Sequence, residues 1–461
     1  MRARMQQKSV SVLSRYFSGS TMDYKQVFAI IVPIFVDSAF IVLMALLNTA
    51  MISSSGVAAV SAVSMVDSIN IFIINLFAAI ATGGTVIVAQ YKGSGNQEMV
   101  SKAASQAISA VAVASVLMSA LVIIFHASAL DLLFGGAEAD VMHNAKIFLI
   151  GSCISYPFIA VYQAVTGVLR GVADTKASLV LSVILNASYF LLNVALVKFA
   201  DLGVVGLSVA LIAARVLGMA AAVFYLTRYN QSLRFQLRDA FKLHLSLLKK
   251  IMFIGIPFAA EQMFFNGGKL LTQTFIVQLG TLAITVNAIS GSLSMLFQIG
   301  GTALSVAVVT VVGQCIGRKN IEDARLFIKS FLWLSTVFFV LITVILLLLF
   351  PLLVSLYAPP KEIVPDIFAL IVLISVAQPI LWSMSFIMPS ALRAAGDSKF
   401  TSIASLLTMW LFRIILGYIL GITLGLGIMG VWLAMVAEWG VRGAIFLWRF
   451  RGDKWYRHKL I

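Results

Sequence analysis

Two acidic residues, Asp37 and Glu261, stand inside long apolar stretches, and each follows a proline by four residues, at Pro33 and Pro257. A carboxylate near the centre of a bilayer costs about 2.5–3.5 kcal/mol on insertion scales, so it persists where a cavity, a partner or a bound cation relieves it. The proline removes one interior hydrogen bond and can kink a helix, which lets the helix bend between two shapes. These acids are therefore candidate sites for H⁺ or a hard cation.

Polar residues on neighbouring stretches complete a candidate cation site in the first half of the chain. Asn48 follows Asp37 by eleven residues, which is close to three helical turns, so the two side chains share one helix face. Oxygen ligands suit a dehydrated Na⁺ as well as a proton, and the sequence does not choose between them. The alternative for each amide is a structural hydrogen bond between helices. The expected site residues are Asp37, Asn48, Asn186, Tyr189, Asn193 and, ranked lower, Asp67.

The second half offers a candidate substrate cavity around Glu261. Aromatic side chains beside one carboxylate suit a bulky organic cation through cation–π and dispersion contacts. The alternatives are plain core packing for the aromatic residues and, for the acid, a structural ion pair with Lys269, Arg413 or Arg442. The expected cavity residues are Glu261, Gln262, Phe265, Asn266, Gln298 and Trp382.

The elements that carry these residues are apolar runs long enough to cross a bilayer. The chain has 461 residues, of which 61% are hydrophobic and 11% charged, and its mean hydropathy is +1.02. A bilayer crossing takes about 20 apolar residues, and in lipid such a run satisfies its backbone hydrogen bonds as a helix. The sequence thus predicts an all-α integral membrane protein with twelve transmembrane helices. The runs are 26–52, 57–90, 104–126, 145–169, 177–199, 204–227, 248–277, 282–314, 326–356, 364–392, 400–422 and 428–449.

The net charge of +15 is explained by membrane topology. Most Lys and Arg residues fall in the two tails and the even-numbered loops, whereas Lys146, Lys198 and Lys361 lie on the opposite side. The positive-inside rule then places both termini in the cytoplasm. Because the basic residues are sorted by side, we expect no nucleic-acid partner.

An internal repeat divides the chain into two homologous bundles. The segment from Pro33 to Asp37 returns as Pro257 to Glu261, and Asn96 returns as Asn320 at the same spacing along the chain. Two even-numbered bundles enter and leave on the same side, which gives a pseudo-two-fold axis along the membrane normal. The expected domains are an N-terminal cytoplasmic tail (1–24), an N-lobe (25–228), a cytoplasmic linker (229–246), a C-lobe (247–450) and a C-terminal cytoplasmic tail (451–461).

Enzymatic and metal chemistry find little support in the residues. Cys153 and Cys315 stand within apolar runs of different halves, and all four His residues fall at loops or tails. No nucleophile, metal-ligand cluster or paired acids stand on a mid-membrane loop, so we expect a protein that is not an enzyme and has no resident metal or cofactor.

The repeated motifs give the chain a resemblance to the multidrug and toxic compound extrusion (MATE) family over essentially its whole length. The motifs that carry it are Asn48-Thr-Ala-Met51, Ala89-Gln-Tyr-Lys-Gly93 with its copy Gly313-Gln-Cys-Ile-Gly317, Leu169-Arg-Gly-Val-Ala-Asp174-Thr-Lys176 with its copy from Leu392 to Lys399, and Pro257 followed by Glu261. The resemblance implies a V-shaped pair of pseudo-symmetric six-helix lobes. It also implies an alternating-access antiporter that exports organic cations, drugs or an amphipathic metabolite in exchange for H⁺ or Na⁺.

Two positions depart from the family pattern. The family usually has Asp where this chain has Asn48, and often another acid where it has Asn193. Since neither Asn can carry a proton, the charge of the first-half site is expected at Asp37, with Asn48, Asn186, Tyr189 and Asn193 as neutral ligands. The resemblance further implies a monomeric multi-pass protein of the bacterial cytoplasmic (inner) membrane, with the lipid bilayer and a small organic cation or amphipathic metabolite as its partners.

Two other transporter classes are weighed against this interpretation. A lipid-linked precursor flippase shares the general architecture by resemblance, but it calls for a cationic cavity that binds diphosphate. A major-facilitator uptake protein calls for a strongly charged second loop, whereas this loop reads Tyr91-Lys-Gly-Ser-Gly-Asn96. The flippase is the alternative function.

Overall fold

The computed structural model describes residues 14–461 apart from 15, 54–56, 231–232, 234, 236–241 and 243. Much of the expected N-terminal tail (1–24) and of the expected linker (229–246) therefore lies outside the described residues.

The described part of the chain folds into twelve long helices, which confirms the predicted all-α membrane architecture. Eleven of them are long and apolar enough to cross a bilayer. The exception among the described residues is α7, whose apolar run is diluted by Glu261, Gln262 and Asn266. The helices are α1 (Tyr24–Ser53), α2 (Val57–Gly93), α3 (Gln97–Phe134), α4 (Ala139–Gly171), α5 (Thr175–Phe199), α6 (Gly203–Arg228), α7 (Leu245–Gln278), α8 (Thr281–Gly317), α9 (Ile321–Ser355), α10 (Lys361–Ala394), α11 (Ser398–Thr423) and α12 (Gly427–Arg451).

Three of the helices in the described part of the chain contain π-helical segments, in which the backbone is wider than in an α-helix. The end of α5 is π-helical over Val194–Phe199, the middle of α10 over Gln378–Ile387, and α11 over Met409–Leu416 and Ile419–Thr423. Such segments are frequent at functional sites because they redirect side chains away from the regular helical positions. Those in α10 and α11 carry residues of the C-terminal site described below.

The repeated asparagines begin equivalent helices in the two copies. The Asn96 side chain accepts a hydrogen bond from the backbone N–H of Met99 at 3.1 Å, and Asn320 accepts one from that of Asp323 at 3.0 Å. Each thereby satisfies one of the backbone donors left unpaired at a helix N-terminus. Asparagine recurs at these two positions of the repeat because each one caps the start of a helix.

The chain divides into two compact units. The N-terminal unit is Val32–Ala259, and the C-terminal unit combines Met1–Ile31 with Ala260–Ile461. Two helices change unit along their length, since α1 does so between Ile31 and Val32 and α7 between Ala259 and Ala260. Both changes occur within a few residues of the repeated prolines. The predicted lobes, 25–228 and 247–450, follow the sequence duplication and remain a prediction.

In the N-terminal unit, the first half of α7 packs closely against α2. A Cβ atom added to Gly83 would lie 2.5 Å from the carbonyl oxygen of Ile251 and 3.0 Å from the backbone nitrogen of Gly255. Helix backbones approach this closely where both surfaces are made of small residues, which is the usual packing device inside membranes. The contact fixes the first half of α7 on this unit.

In the C-terminal unit, the residues before α1 are fastened to the start of α9. Asp323 accepts hydrogen bonds from the backbone N–H of Thr21 at 2.5 Å and from the hydroxyl of Ser20 at 3.1 Å. Arg318 donates to the carbonyl oxygen of Thr21 at 2.9 Å. These contacts hold the N-terminal end of α1 on the C-terminal unit.

Candidate functional site

Asp37 is held in an ion pair with an arginine from the end of α4. The Nη2 atom of Arg170 donates to Oδ2 of Asp37 at 3.0 Å, and its Nε atom donates to the hydroxyl of Ser178 at 3.0 Å. Asp37 is buried, and its Oδ1 atom accepts no hydrogen bond from the described residues. Arg170 thus holds one carboxylate oxygen, Ser182 lies beside the carboxylate, and Oδ1 is the buried oxygen that the described residues leave without a hydrogen bond.

The C-terminal unit contains the equivalent pair, between Glu261 and Arg393. The Nη2 atom of Arg393 donates to Oε2 of Glu261 at 3.2 Å, and the hydroxyl of Ser402 donates to the same oxygen at 2.9 Å. Arg170 and Arg393 both lie in the last turn of their helices. In each pair, one carboxylate and one guanidinium connect the helix that carries a repeated proline to the last turn of another helix.

The ion pair of Glu261 involves an arginine that the sequence interpretation did not name. Lys269, Arg413 and Arg442 were the possible partners in the structural alternative, but the acid contacts Arg393. The repeat carried a signal for this pairing, because each copy has one acid after its proline and one arginine directly after the leucine that opens the later motif. A buried charge left without a partner is strongly destabilising, which is the physical reason to look for one.

A second group of predicted residues lies farther along α1 and α5. The Nδ2 atom of Asn193 donates to Oδ1 of Asn48 at 3.1 Å, and Tyr189 lies beside Asn193. Asn48 is eleven residues beyond Asp37, which is about 16 Å along the helix axis. The structure thus brings together Asn48, Tyr189 and Asn193 but places them apart from Asp37. Asn186 donates to the carbonyl oxygen of Ser182 on its own helix at 2.9 Å.

Asp67 belongs to a polar network between α2, α4 and α6. Its Oδ1 atom accepts a hydrogen bond from Asn70 at 3.2 Å, and Asn70 in turn accepts one from the hydroxyl of Tyr156 at 2.8 Å. Arg215, which donates to the hydroxyl of Ser155 at 2.6 Å, supplies the positive charge nearest to Asp67. The acid and the arginine balance each other inside the N-terminal unit.

The predicted cavity residues of the second half do not all line one space. Trp382 is buried and stacks on Phe386 with a centroid distance of 4.6 Å, so it is part of the packed interior. Asn266 donates to the carbonyl oxygen of Gln262 on its own helix at 2.9 Å. Gln298 contributes its backbone carbonyl to the hydroxyl of Thr302. Glu261 and Phe265 do line a common shallow crevice, together with Phe264, Met409 and Trp410.

A basic cluster in the same unit was not predicted from the sequence. Glu438 is fully buried on α12, where its Oε2 atom lies 2.7 Å from Nη2 of Arg413 and its Oε1 atom lies 2.7 Å from Nη1 of Arg442. Lys269 lies beside these residues with its Nζ atom 4.9 Å from the centroid of the Phe265 ring. The Glu438–Arg442 contact follows from their spacing of four residues on α12. Lys269 and Arg413 come from α7 and α11 and meet this pair through the π-helical segment of α11, for which spacing gives no signal.

The chemistry that these groups offer is cation binding in the N-terminal unit and charge recognition in the C-terminal unit. The described residues include no group of three or more His, Cys, Asp and Glu side chains that could hold a metal ion. Asp37 is a single carboxylate with one unengaged oxygen, which suits a proton or a monovalent cation.

Comparison with known proteins identifies the family. The MatE family model matches the chain twice, over residues 33–197 and 257–419, and the two matches begin at the repeated prolines. The uncharacterized transporter YisQ of Bacillus subtilis is 30% identical over 93% of this chain and 94% of its own length. The probable multidrug resistance protein NorM of Thermotoga maritima is 24% identical over 95% of this chain and 94% of its own length.

The fold agrees with the sequence match. An outward-facing MATE family transporter of the MOP superfamily superposes with a TM-score of 0.86 at 18% identity, covering 93% of this chain and 95% of the other. With the repeated family match, this makes the chain a multi-pass membrane protein with bacterial relatives, and it belongs to the MATE family of transporters.

Proposed function

We propose that this chain is a secondary active transporter that exports small organic or amphipathic compounds in exchange for H⁺ or Na⁺. The observation that carries the proposal is the buried Asp37 carboxylate, which has Arg170 on one oxygen and no hydrogen-bond partner among the described residues on the other. A carboxylate in this position binds a cation only if the cation shares the carboxylate with Arg170 or displaces the guanidinium. Cation binding is therefore coupled to the connection between α1 and α4.

The proposed coupling step follows from the geometry of the pair. A proton on Oδ1 neutralises Asp37, so that Arg170 loses its charge partner and the link from α1 to the last turn of α4 weakens. Na⁺ at the same oxygen also competes with the guanidinium. Pro33, one turn before Asp37, leaves α1 with one backbone donor fewer and lets it bend at that point. A ligand shifts an equilibrium between two shapes only by binding them differently, and the occupied and paired states of Asp37 differ in this way.

Several further properties belong to the same proposal. The chain lies in the cytoplasmic membrane with both termini in the cytoplasm, works as a monomer, catalyses no reaction and needs no cofactor beyond its coupling ion. The predicted ligand set is Asp37 with Asn48, Asn186, Tyr189 and Asn193, and Asp67 is the second candidate acid. The two-site arrangement described above supports an ion site at Asp37 and a separate amide cluster farther along α1.

A second candidate function, a lipid-linked precursor flippase, is favoured by one observation. Its requirement is a cationic interior for a diphosphate, and Arg413, Arg442 and Lys269 supply three cations around one acid. The cargo, rather than the coupling ion, separates the two functions.

The test uses vesicles reconstituted with the full chain. A pH or Na⁺ gradient is imposed, and the movement of ethidium and of naphthalene-2-sulfonate is followed by fluorescence. We expect gradient-driven transport by the wild type that falls by about tenfold or more in Asp37→Asn, since the coupling charge is lost. The control is Asp140→Asn, which removes an exposed acid from the first turn of α4 in the same unit. Full gradient-driven transport by Asp37→Asn would remove Asp37 from the mechanism.

A structural role for Asp37 is separated from coupling by a double variant. Asp37→Asn with Arg170→Gln replaces the ion pair with two neutral groups, so it avoids an unpaired buried charge. We expect this variant to purify as a folded protein and to equilibrate cargo without accumulating it against the gradient. If the double variant regains gradient-driven accumulation, the pair serves folding alone.

A further inference from the structure

Three cationic side chains from three helices converge on one aromatic ring in the C-terminal unit. The Nζ atom of Lys269 lies 4.9 Å from the centroid of Phe265, and the guanidinium carbons of Arg413 and Arg442 lie 5.3 Å and 6.0 Å from it. The only acid in direct contact with the cluster, among the described residues, is Glu438. We call Lys269, Arg413, Glu438 and Arg442 the basic cluster.

The basic cluster carries more positive than negative charge. Glu438 is shared between Arg413 and Arg442, each at 2.7 Å, so one carboxylate serves two guanidinium groups. Glu261 does not restore the balance because Arg393 pairs with it at 3.2 Å. Lys269 forms no ion pair with the described residues and adds a further positive charge. Excess charge of one sign at membrane depth is costly unless a counter-charge or water compensates it.

Two groups of the basic cluster have donors that the described residues do not use. The Nη2 atom of Arg442 is buried and has no hydrogen-bond partner among them, although its Nε atom donates to the hydroxyl of Ser385 at 2.5 Å. Lys269 is exposed on its unit. Its Nζ atom lies over Phe265, one turn earlier on α7, so the side chain points back along the helix instead of extending to its nearer end. Neither donor is engaged by the described residues, and Lys269 is the more accessible of the two.

The fold itself does not require these charges, as the first copy of the repeat shows. Counted by the spacing that separates Pro33 from Pro257, the four equivalent positions in the first copy are Ala45, Tyr189, Ala214 and Gly218. The same six-helix arrangement is therefore built in the N-terminal unit with no charged residue at any of the four positions. The basic cluster is a property of the second copy alone, which points to a ligand.

The surroundings of the basic cluster are apolar and aromatic. The shallow crevice beside it is lined by Phe264, Phe265, Met409 and Trp410, with Glu261 engaged by Arg393 at its edge. Phe386 lies 4.3 Å below the Arg442 guanidinium. Aromatic and thioether side chains suit a ligand body that is apolar or aromatic.

We propose that the basic cluster of the C-terminal unit binds the anionic group of an amphipathic substrate, whose apolar body lies against Phe264, Phe265 and Trp410. Lys269 and the Nη2 atom of Arg442 contact the anion, while Glu438 holds the two arginines apart and oriented. This deepens the proposed function, on which it rests, because it assigns the cargo to the amphipathic anions and disfavours organic cations. The anion is a sulfonate or carboxylate on a soluble aromatic compound, or the phosphate of a lipid-linked precursor, and both share the same recognition chemistry.

The test measures binding without any gradient, so its outcome is independent of ion coupling. The purified full chain is titrated in low-chloride buffer by calorimetry with naphthalene-2-sulfonate and with the cation 2-naphthyltrimethylammonium, which share one ring system. We expect the anion to bind about tenfold more tightly, and Lys269→Gln to weaken anion binding about tenfold while leaving cation binding unchanged, because one charge is lost from the site. The control is Lys361→Gln, which removes an exposed lysine of the same unit at the start of α10.

Farnesyl diphosphate and inorganic diphosphate separate the two sources of the anion. Tighter binding of farnesyl diphosphate than of the sulfonate supports the proposal and identifies a lipid-linked cargo. Tighter binding of the sulfonate supports it and identifies a soluble aromatic acid. Inorganic diphosphate is expected to bind more weakly than either, since it lacks the apolar body. Equal or tighter binding of the naphthyl cation, or unchanged anion binding in Lys269→Gln, overturns the proposal even if Asp37 couples transport.

Discussion

Arg449, in the last turn of α12, binds Asp397 through two hydrogen bonds. Its Nε atom lies 2.6 Å from Oδ2 and its Nη2 atom 3.1 Å from Oδ1 of the carboxylate. His458 from the C-terminal tail adds a third contact at 3.1 Å. Asp397 stands between α10 and α11, so the pair fastens that connection to the end of the last helix. The equivalent acid in the first copy, Asp174, accepts a hydrogen bond from Tyr225 at 2.9 Å.

The Asp397 contacts predict a loss of stability at acid pH. Burial alone raises the pKa of Asp397, but the hydrogen bonds from His458 and Arg449 and the nearby positive charge outweigh it, so the pKa lies below its ordinary value. Because the folded-state pKa is lowered, the stabilisation is complete above the unfolded-state pKa of about 3.9 and is lost as pH falls through the folded-state value. We expect Asp397→Asn to flatten the decline of the unfolding temperature below about pH 4. An equally steep decline in Asp397→Asn would contradict this.

Removing Arg170 and removing Asp37 should lower the free energy of unfolding by different amounts. Arg170→Gln leaves a buried carboxylate uncompensated and is expected to cost about 3–5 kcal/mol. Asp37→Asn should cost less, because the Arg170 side chain is 25% exposed and can reach water. Denaturant unfolding of both single variants and the double variant measures the interaction. Additive effects in this double-mutant cycle would show that the pair is not coupled.

Two glycines of the helix core are expected to respond to alanine with opposite signs. Gly83→Ala places a methyl group 2.5 Å from a backbone oxygen of α7. A backbone oxygen cannot rotate away as a side chain can, so this substitution should lower the free energy of unfolding by about 1–3 kcal/mol. Gly267→Ala meets nothing within 4 Å inside α7 and should stabilise by about 0.5–1 kcal/mol through helix propensity. Unfolding temperatures of the two variants check the prediction, and a change of the same sign in both would contradict it.

The turn before each repeated aspartate offers a fourth test. Ala173 has φ +68° and Gly396 has φ +100°, both in the left-handed region that favours glycine. Alanine strains this turn by about 1 kcal/mol, so Ala173→Gly should raise the free energy of unfolding. Gly396→Ala should destabilise, because the added methyl group would also lie 2.9 Å from Leu460. Thermal unfolding of the two single variants should rank them in this order.

Much of the architecture could be predicted from the sequence because a lipid bilayer permits few backbone conformations. An apolar run in a bilayer must form a helix, so the twelve runs correspond to the twelve long helices of the described residues. The repeat was also visible, and the family match begins at both of its prolines. The asparagines at 96 and 320 recur because each begins a helix, which is a local requirement.

The contacts between distant segments could not be predicted in the same way. Asp37 meets Arg170 across 133 positions of the chain, so the repeat marks both residues but no local spacing pairs them. The basic cluster depends on a π-helical segment that turns Arg413 toward Glu438, and hydrophobic periodicity does not reveal such a segment. The predicted site residues stay a prediction, since geometry alone divides them into an ion pair near Asp37 and an amide contact at Asn48.

The way α1 and α7 divide between the units bears on how the protein is made. Residues 14–31 leave the ribosome early but pack with residues that follow Ala260, whereas the N-terminal unit is complete only once Ala259 has emerged. Residues 14–31 therefore lack their packing partners until the residues that follow Ala260 have been synthesised. A gene divided within the linker would yield two fragments, and each fragment would carry a segment that belongs to the unit formed mainly by the other fragment. Both fragments would have to be made together for either unit to be complete.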